Sequence, residues 1–293
     1  MMEQLTIPAA DGRPLPARRY APAGMPRGTV LISTAMAVPQ SYYGDFAGYL
    51  AASGLQVLSY DYRGMGEDAP ATLRGFEASV TDWAEKDYNA ALNYAKASAP
   101  DAPLFVIGHS LGGQLPGLLP DHRLIDGLLT VASGSGYWRE NAPALKRLVP
   151  LMWYGLVPVL TPLFGYWPGA RLNMVGNLPK GVINEWRRWC MHPDYVCDTQ
   201  GRRFDAHFPE VRFPICSLSF TDDEYMSETN IRKLHGRYTH TDVEFRRFAP
   251  ADFGLKRIGH FGFFKKQFAS TLWPQALGWL DSRLAHRPSQ PEH

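Results

Sequence analysis

The stretch LFVIGHSLGG at residues 104–113 decides how the rest of the chain is read. Its first five residues, LFVIG, are apolar and rich in strand-forming types, so they predict a strand buried on both faces. Gly108 and Gly112 stand two residues before and two after Ser110, which is the GxSxG spacing. A serine so placed sits on a tight strand-to-helix turn with its hydroxyl projecting from the sheet edge. Side chains at the two flanking positions would collide there, and glycine removes them. A helix starting just after Ser110 would aim its first N–H groups at negative charge developing beside that hydroxyl. The apolar run at 115–119 continues the pattern, with Pro116 and Gly117 predicting a short or bent helix. Ser110 is therefore the candidate nucleophile. The competing reading, a chance turn in a chain with 27 glycines, does not explain the buried strand before it. His109, next to Ser110, is aimed elsewhere by the turn and reads as packed or hydrogen-bonded.

Outward from this turn, strand-like and helix-like segments alternate. GTVLIS (28–33), LQVLSY (55–60) and part of 124–132 read as buried strands. Residues 42–53, ended by Gly54, and 79–98 carry apolar residues at helical spacing. After a gap the alternation resumes with a strand at 215–220, a helix at 228–237, a strand at 243–248 and a closing helix at 263–284. Strand and helix in repeated alternation imply a mostly parallel sheet covered on both faces.

The gap runs from 134 to 212. It is rich in proline, shows no clear strands and holds five of the eight tryptophans. An insertion that interrupts a regular sheet at one point is a natural lid, so residues 1–133 and 213–293 are expected to form the core and 134–212 a helical lid. Within it, 148–170 lacks any charge and has membrane-like apolarity, but Pro150, Pro158, Pro162 and Pro168 interrupt it. It reads as short apolar helices of the lid, without stable membrane insertion. Trp138, Trp153, Tyr154 and Trp167 are expected to wall the substrate site, with plain lid core as the alternative for each.

A serine hydroxyl needs a base to take its proton during attack. Of nine histidines, His260 follows the last predicted strand, is preceded by Gly259 and lies among apolar residues in IGHFGFF (258–264). From a loop before the closing helix, its ring can reach the sheet edge; a core histidine held by backbone groups is the alternative. The imidazole in turn needs a carboxylate to hold its tautomer. The strand at 215–220 runs into Thr221-Asp222-Asp223-Glu224, and the 37 residues from Asp223 to His260 leave room for one helix and one strand. Asp223 is favoured over Asp222, and helix capping is the other role open to both. The oxyanion donors are expected to be the N–H of Leu111 and, from the small-residue loop STAMAVP at 33–39, that of Met36.

Composition limits the remaining choices. The net charge of +2 gives no field to recruit nucleic acid. Three cysteines make no disulfide framework, and CMHPDYVC (190–197) offers Cys190, His192 and Cys197 without a second ligand pair, so no metal or cofactor is expected. The N-terminus shows no basic leader before an apolar run, which makes a cytoplasmic location the expectation.

With GHSLGG (108–113), DYRGMG (61–66), TDDEY (221–225) and GHFGFF (259–264), the chain resembles the α/β-hydrolase superfamily over nearly its whole length. VLSYDYRGMG (57–66) is similar to the corresponding strand and turn of lipase-like and serine-aminopeptidase-like members. Val38-Pro39-Gln40 resembles a group of bacterial predicted hydrolases. Two departures stand out: the family's usual His-Gly pair is missing from the oxyanion loop, and Asp68 replaces a common serine. Asp61 and Arg63 read as fixing their turn. The resemblance implies Ser-Asp-His hydrolysis without a cofactor, and the expectation is a serine esterase acting on a small ester with an apolar part. A peptidase using Glu140 or Glu185 to capture a substrate terminus, an acyltransferase, and a catalytically silent binding protein are the alternatives. Oligomeric state is not legible.

Overall fold

The structure, a computed structural model, describes residues 1–174 and 176–285. Ten strands occur among them: β1 Met2–Pro8, β2 Pro14–Tyr20, β3 Thr29–Ser33, β4 Gln56–Tyr60, β5 Leu104–His109, β6 Gly127–Val131, β7 Tyr166–Pro168, β8 Asn177–Pro179, β9 Ile215–Phe220 and β10 Val243–Phe248. Eight form one sheet in the order β1-β2-β4-β3-β5-β6-β9-β10, and every neighbouring pair from β4 to β10 is parallel. Strand residues point alternately to opposite faces. On β5, Leu104 and Val106 enter one core with the helical segments of residues 80–98, while Phe105 and Ile107 enter the other with helices Gly44–Ala52 and Trp273–Ala285. That double burial is why the central strands lack polar alternation.

The β1–β2 hairpin went unread in the sequence. Its antiparallel register runs from Met2↔Tyr20 to Pro8↔Pro14, and Gly12 makes the turn at φ +80°. Asp11-Gly12 between alternating apolar residues was the available signal. The closing helix is shorter than expected. Residues 259–262 form one turn, a 3-10 turn follows at Lys266–Phe268, and the helix proper begins at Trp273, where Pro274 suits its first turn.

The chain leaves the sheet after β6 and returns at β9, and these two strands pair directly, with Leu128 opposite Ile215. The residues between fold as helices plus the small antiparallel β7–β8 sheet, which the sequence reading did not anticipate. The expected short helices also need correction. Pro143–Phe164 is a single helix of 22 residues that passes through Pro150, Pro158 and Pro162. A proline ring clashes with the carbonyl four residues back and donates no hydrogen bond. Here a widened π turn, Leu151–Leu156, lies between Pro150 and Pro158, and such turns absorb the mismatch without ending the helix. By length and composition, this one helix among the described residues could cross a membrane. It leaves Leu148, Leu151, Tyr154, Val159 and Leu163 exposed.

Candidate active site

Ser110 sits between β5 and the short helix Leu111–Gln114 with φ +50° and ψ −113°, a conformation costly for any residue with a Cβ. Its amide donates to the Val131 carbonyl at 2.9 Å, which ties the turn to β6. The flanking glycines are sterically required: a Cβ on Gly108 would lie 2.5 Å from the Gly113 backbone, and one on Gly112 would lie 2.2 Å from the Ser33 carbonyl oxygen.

The structure brings the three separated residues into one line. Ser110 Oγ is 3.0 Å from His260 Nε2, and His260 Nδ1 is 2.9 Å from Asp223 Oδ2 and 3.1 Å from Oδ1. Each comes from the C-terminal end of a parallel strand or the loop after it, where open α/β sheets gather their sites. Asp223 follows β9, and its Oδ1 also accepts the amides of Tyr225 and Met226 at 2.8 Å each. His260 follows β10 on a loop held by the neighbouring acids. Asp222 Oδ2 accepts the amides of Ile258 (2.8 Å) and Gly259 (3.1 Å), and Glu224 Oε2 accepts that of His260 at 3.0 Å. The three consecutive carboxylates thus divide their partners, with Asp223 alone on the imidazole.

Leu111 and Met36 both line the cavity that opens at Ser110. The Leu111 amide opens a helix and so lacks an intrahelical acceptor. Among the described residues, none takes a hydrogen bond from it or from the Met36 amide. The loop carrying Met36 is anchored on both sides. The Ala35 amide donates to Tyr43 Oη at 2.9 Å, and the buried Asp61 carboxylate accepts from the Gln40 amide at 2.8 Å, from Gln40 Nε2 at 3.2 Å and from the Glu67 amide at 3.0 Å. Burial still pushes the Asp61 carboxyl above its ordinary range. Arg63 pairs with Asp87 (2.6 Å) and Asp11 (2.7 Å), while Asp68 accepts from Arg13 and from the Gly64 amide, each at 2.7 Å. All three belong to the turn and none lines the cavity.

His109 is fully buried. Its Nδ1 lies 2.8 Å from Tyr43 Oη, and its Nε2 lies 3.0 Å from the carbonyl of His260. Burial holds its pKa down at about 3, so the ring is neutral.

The cavity has a volume of about 260 Å³ and, among the described residues, no Asp, Glu, Lys or Arg in its lining. Of the four aromatics expected to wall it, only Trp153 does. Trp167 is wholly buried in the core, Tyr154 is largely exposed, and Trp138 packs against Tyr154 and the Arg139 guanidinium. Beside Trp153, the 134–212 stretch contributes Leu145, Leu148, Val149, Met152 and Trp186 to the wall, among others. The sequence reading also missed Tyr225 and Phe261, whose rings stand 4.8 and 4.9 Å from the His260 ring. Both lie inside motifs already singled out, TDDEY and GHFGFF, so position next to a candidate was the usable signal. Glu140 pairs with Lys233 at 2.7 Å, and Glu185 binds Thr81 and Arg188; neither reaches the cavity. Cys190 also lines the cavity, Cys190 and Cys197 are both free thiols, and among the described residues no three His, Cys, Asp or Glu side chains are placed to hold a metal ion.

Comparison with known proteins extends this picture. Mouse monoglyceride lipase is 26% identical over 162 residues, 52% of this chain and 50% of that protein. The rat protein of the same name is 27% identical over 108 residues, 36% of this chain and 34% of that protein. The chain therefore spans half or less of the length of these relatives. Among solved structures, a soluble variant of monoglyceride lipase from Saccharomyces cerevisiae with a substrate analogue superposes at TM-score 0.67 with 16% identity, covering 95% of this chain and 96% of that one. A thermostable carboxyl esterase from Bacillus coagulans gives 0.61 at 16% identity, covering 97% and 99%. The family model for serine aminopeptidases of the S33 kind matches residues 24–173, just over half of the 293. With the sheet order and the serine turn it encloses, the chain belongs to the S33 serine aminopeptidase family of α/β-hydrolases.

Proposed function

We propose that the protein hydrolyses a carboxylic ester through an acyl-enzyme. The carrying observation is the line from Ser110 Oγ through His260 to Asp223, at 3.0 and 2.9 Å, starting from a serine held at φ +50°. Ser110 attacks the ester carbonyl as His260 Nε2 takes its proton. Asp223 keeps the Nδ1–H tautomer and stabilises the imidazolium. The Leu111 and Met36 amides receive the developing oxyanion. His260 returns the proton to the leaving alcohol, and water then repeats the cycle on the acyl group.

The largely apolar cavity suits the apolar part of a small ester, and residues 134–212 act as the lid that covers it. An aminopeptidase needs a carboxylate to hold the substrate's ammonium group. Among the described residues, the cavity lining contains none, which favours the ester over the peptide despite the family's description. The three free thiols fit a reducing compartment such as the cytoplasm. A fluorophosphonate probe should label the wild type and not Ser110→Ala, and short p-nitrophenyl esters should be cleaved far faster than aminoacyl anilides. A folded wild type that stays unlabelled refutes the proposal.

A further inference from the structure

Two buried groups that this mechanism leaves unused, Tyr43 and His109, connect the oxyanion loop to the loop of the base. The direction of every link is fixed by chemistry. The Ala35 amide can only donate, so Tyr43 Oη accepts from it at 2.9 Å. The His260 carbonyl, 3.0 Å from His109 Nε2, can only accept, so a neutral His109 keeps its proton on Nε2. Its Nδ1, 2.8 Å from Tyr43 Oη, then takes the tyrosine's own proton.

We infer that Tyr43 and His109 are positioning residues for the reaction: a one-way hydrogen-bond chain that sets the Met36 amide and the His260 ring in register with Ser110. The chain begins one residue before Met36 and ends on the backbone of His260. It passes through the residue preceding Ser110, so it touches the anchors of donor, base and nucleophile in turn. The adjacent Tyr42 hydroxyl donates to the Phe261 carbonyl, a second tie between the same two loops. Phe264 packs both rings in place, 4.7 Å from Tyr43 and 5.0 Å from His109. Neutrality of His109 also matters, because its ring lies 5.4 Å from that of His260, and a charge there would oppose the imidazolium formed during attack.

The inference rests on the reading of Ser110 and His260 as nucleophile and base. Its test uses Tyr43→Phe, His109→Phe and His109→Gln on a p-nitrophenyl ester, at a temperature where circular dichroism shows each variant folded. Mispositioned oxyanion donors lower the rate of the chemical step rather than substrate binding. The two phenylalanine variants should lose kcat by roughly 10- to 100-fold with KM changed less than about threefold. Glutamine can donate to the His260 carbonyl while accepting from Tyr43, so it should recover most of that loss. Equal losses in Gln and Phe, or a kcat within about threefold of wild type for both Phe variants, would leave only a packing role and overturn the inference. If the variants do not fold, long-range proton–nitrogen spectra of the wild type labelled with ¹⁵N-histidine decide it. A neutral His109 protonated at Nε2 down to pH 5 is expected, and a proton at Nδ1 reverses the chain and sinks it. Failure of fluorophosphonate labelling in the wild type would instead count against the parent reading.

Discussion

Replacing Asp223 with asparagine keeps the shape of the side chain and removes its charge, and the surrounding amides dictate which way the new amide group must face. Tyr225 and Met226 both donate to Oδ1, at 2.8 Å each, so that position must remain an oxygen. The asparagine NH₂ is thereby forced into the place of Oδ2, 2.9 Å from His260 Nδ1. An NH₂ group there can only donate. Because this contact is closer than the 3.1 Å from Nδ1 to the retained oxygen, the imidazole is driven to accept at Nδ1 and carry its proton on Nε2, facing the Ser110 hydroxyl as a donor when attack requires an acceptor. A wrong tautomer of this kind lowers kcat by roughly 10³- to 10⁴-fold, about 4 to 5.5 kcal/mol of transition-state stabilisation. The backbone turn keeps both of its hydrogen bonds, so thermal stability should move little. Asp222→Asn retains an oxygen for the amides of Ile258 and Gly259, and Glu224→Gln retains one for that of His260. Each should cost less than about tenfold, since a single retained acceptor satisfies the amide. Steady-state hydrolysis of p-nitrophenyl butyrate by the three folded variants gives the comparison. An Asp223→Asn enzyme within tenfold of wild type, or an equal loss in Asp222→Asn, refutes the assignment of partners.

Two more outcomes are expected from the cavity and the core. Met152 lines the cavity and is nearly buried, so Met152→Trp should shorten the available space and lower kcat/KM for octanoyl relative to acetyl esters by about tenfold, one or two lost methylene contacts' worth; an unchanged acyl-length profile would place the acyl group elsewhere. His235 is buried against Thr130 Oγ1 and the Ile231 carbonyl, and burial lowers its pKa to about 4. Its folded value lies below the unfolded value of about 6.5, so the unfolded state binds more protons between the two. The stability it contributes is present above pH 6.5 and is lost as the pH falls toward 4. Urea midpoints at pH 7.5 and 5 should differ more in wild type than in His235→Gln, and parallel curves would contradict the cause.

The sheet was legible because its central strands are buried on both faces and read as unbroken apolar runs, as in LFVIG. The serine turn was legible because only glycine fits beside the Ser33 and Gly113 backbones. His260 and Asp223 could be picked out by their places after predicted strands. Contacts that depend on the folded arrangement could not. Nothing in the sequence tells whether Trp153 or Trp167 faces the cavity, since both are large, apolar and buried. The prolines of Pro143–Phe164 misled for a local reason: each one disfavours a helix, and a single widened turn changes that balance without a signature in residue type. The roles of Asp222 and Glu224 depend on the course of the 258–260 backbone, which only the fold fixes.

Because β6 and β9 are parallel hydrogen-bonded neighbours, the polypeptide leaves the sheet at the C-terminal edge of β6 and crosses back to the opposite edge before entering β9 beside it. Whatever is threaded between those two points does not alter strand register, and the entropy of closing such an excursion rises only logarithmically with its length. So long as the crossover to β9 is kept, evolution or an engineer can exchange the rest of that excursion for a longer, shorter or differently shaped one while Ser110, Asp223 and His260 keep their places. The sheet edge that gathers these three side chains and the excursion between β6 and β9 are separable inventions, and chains that share the former are free to differ in the latter.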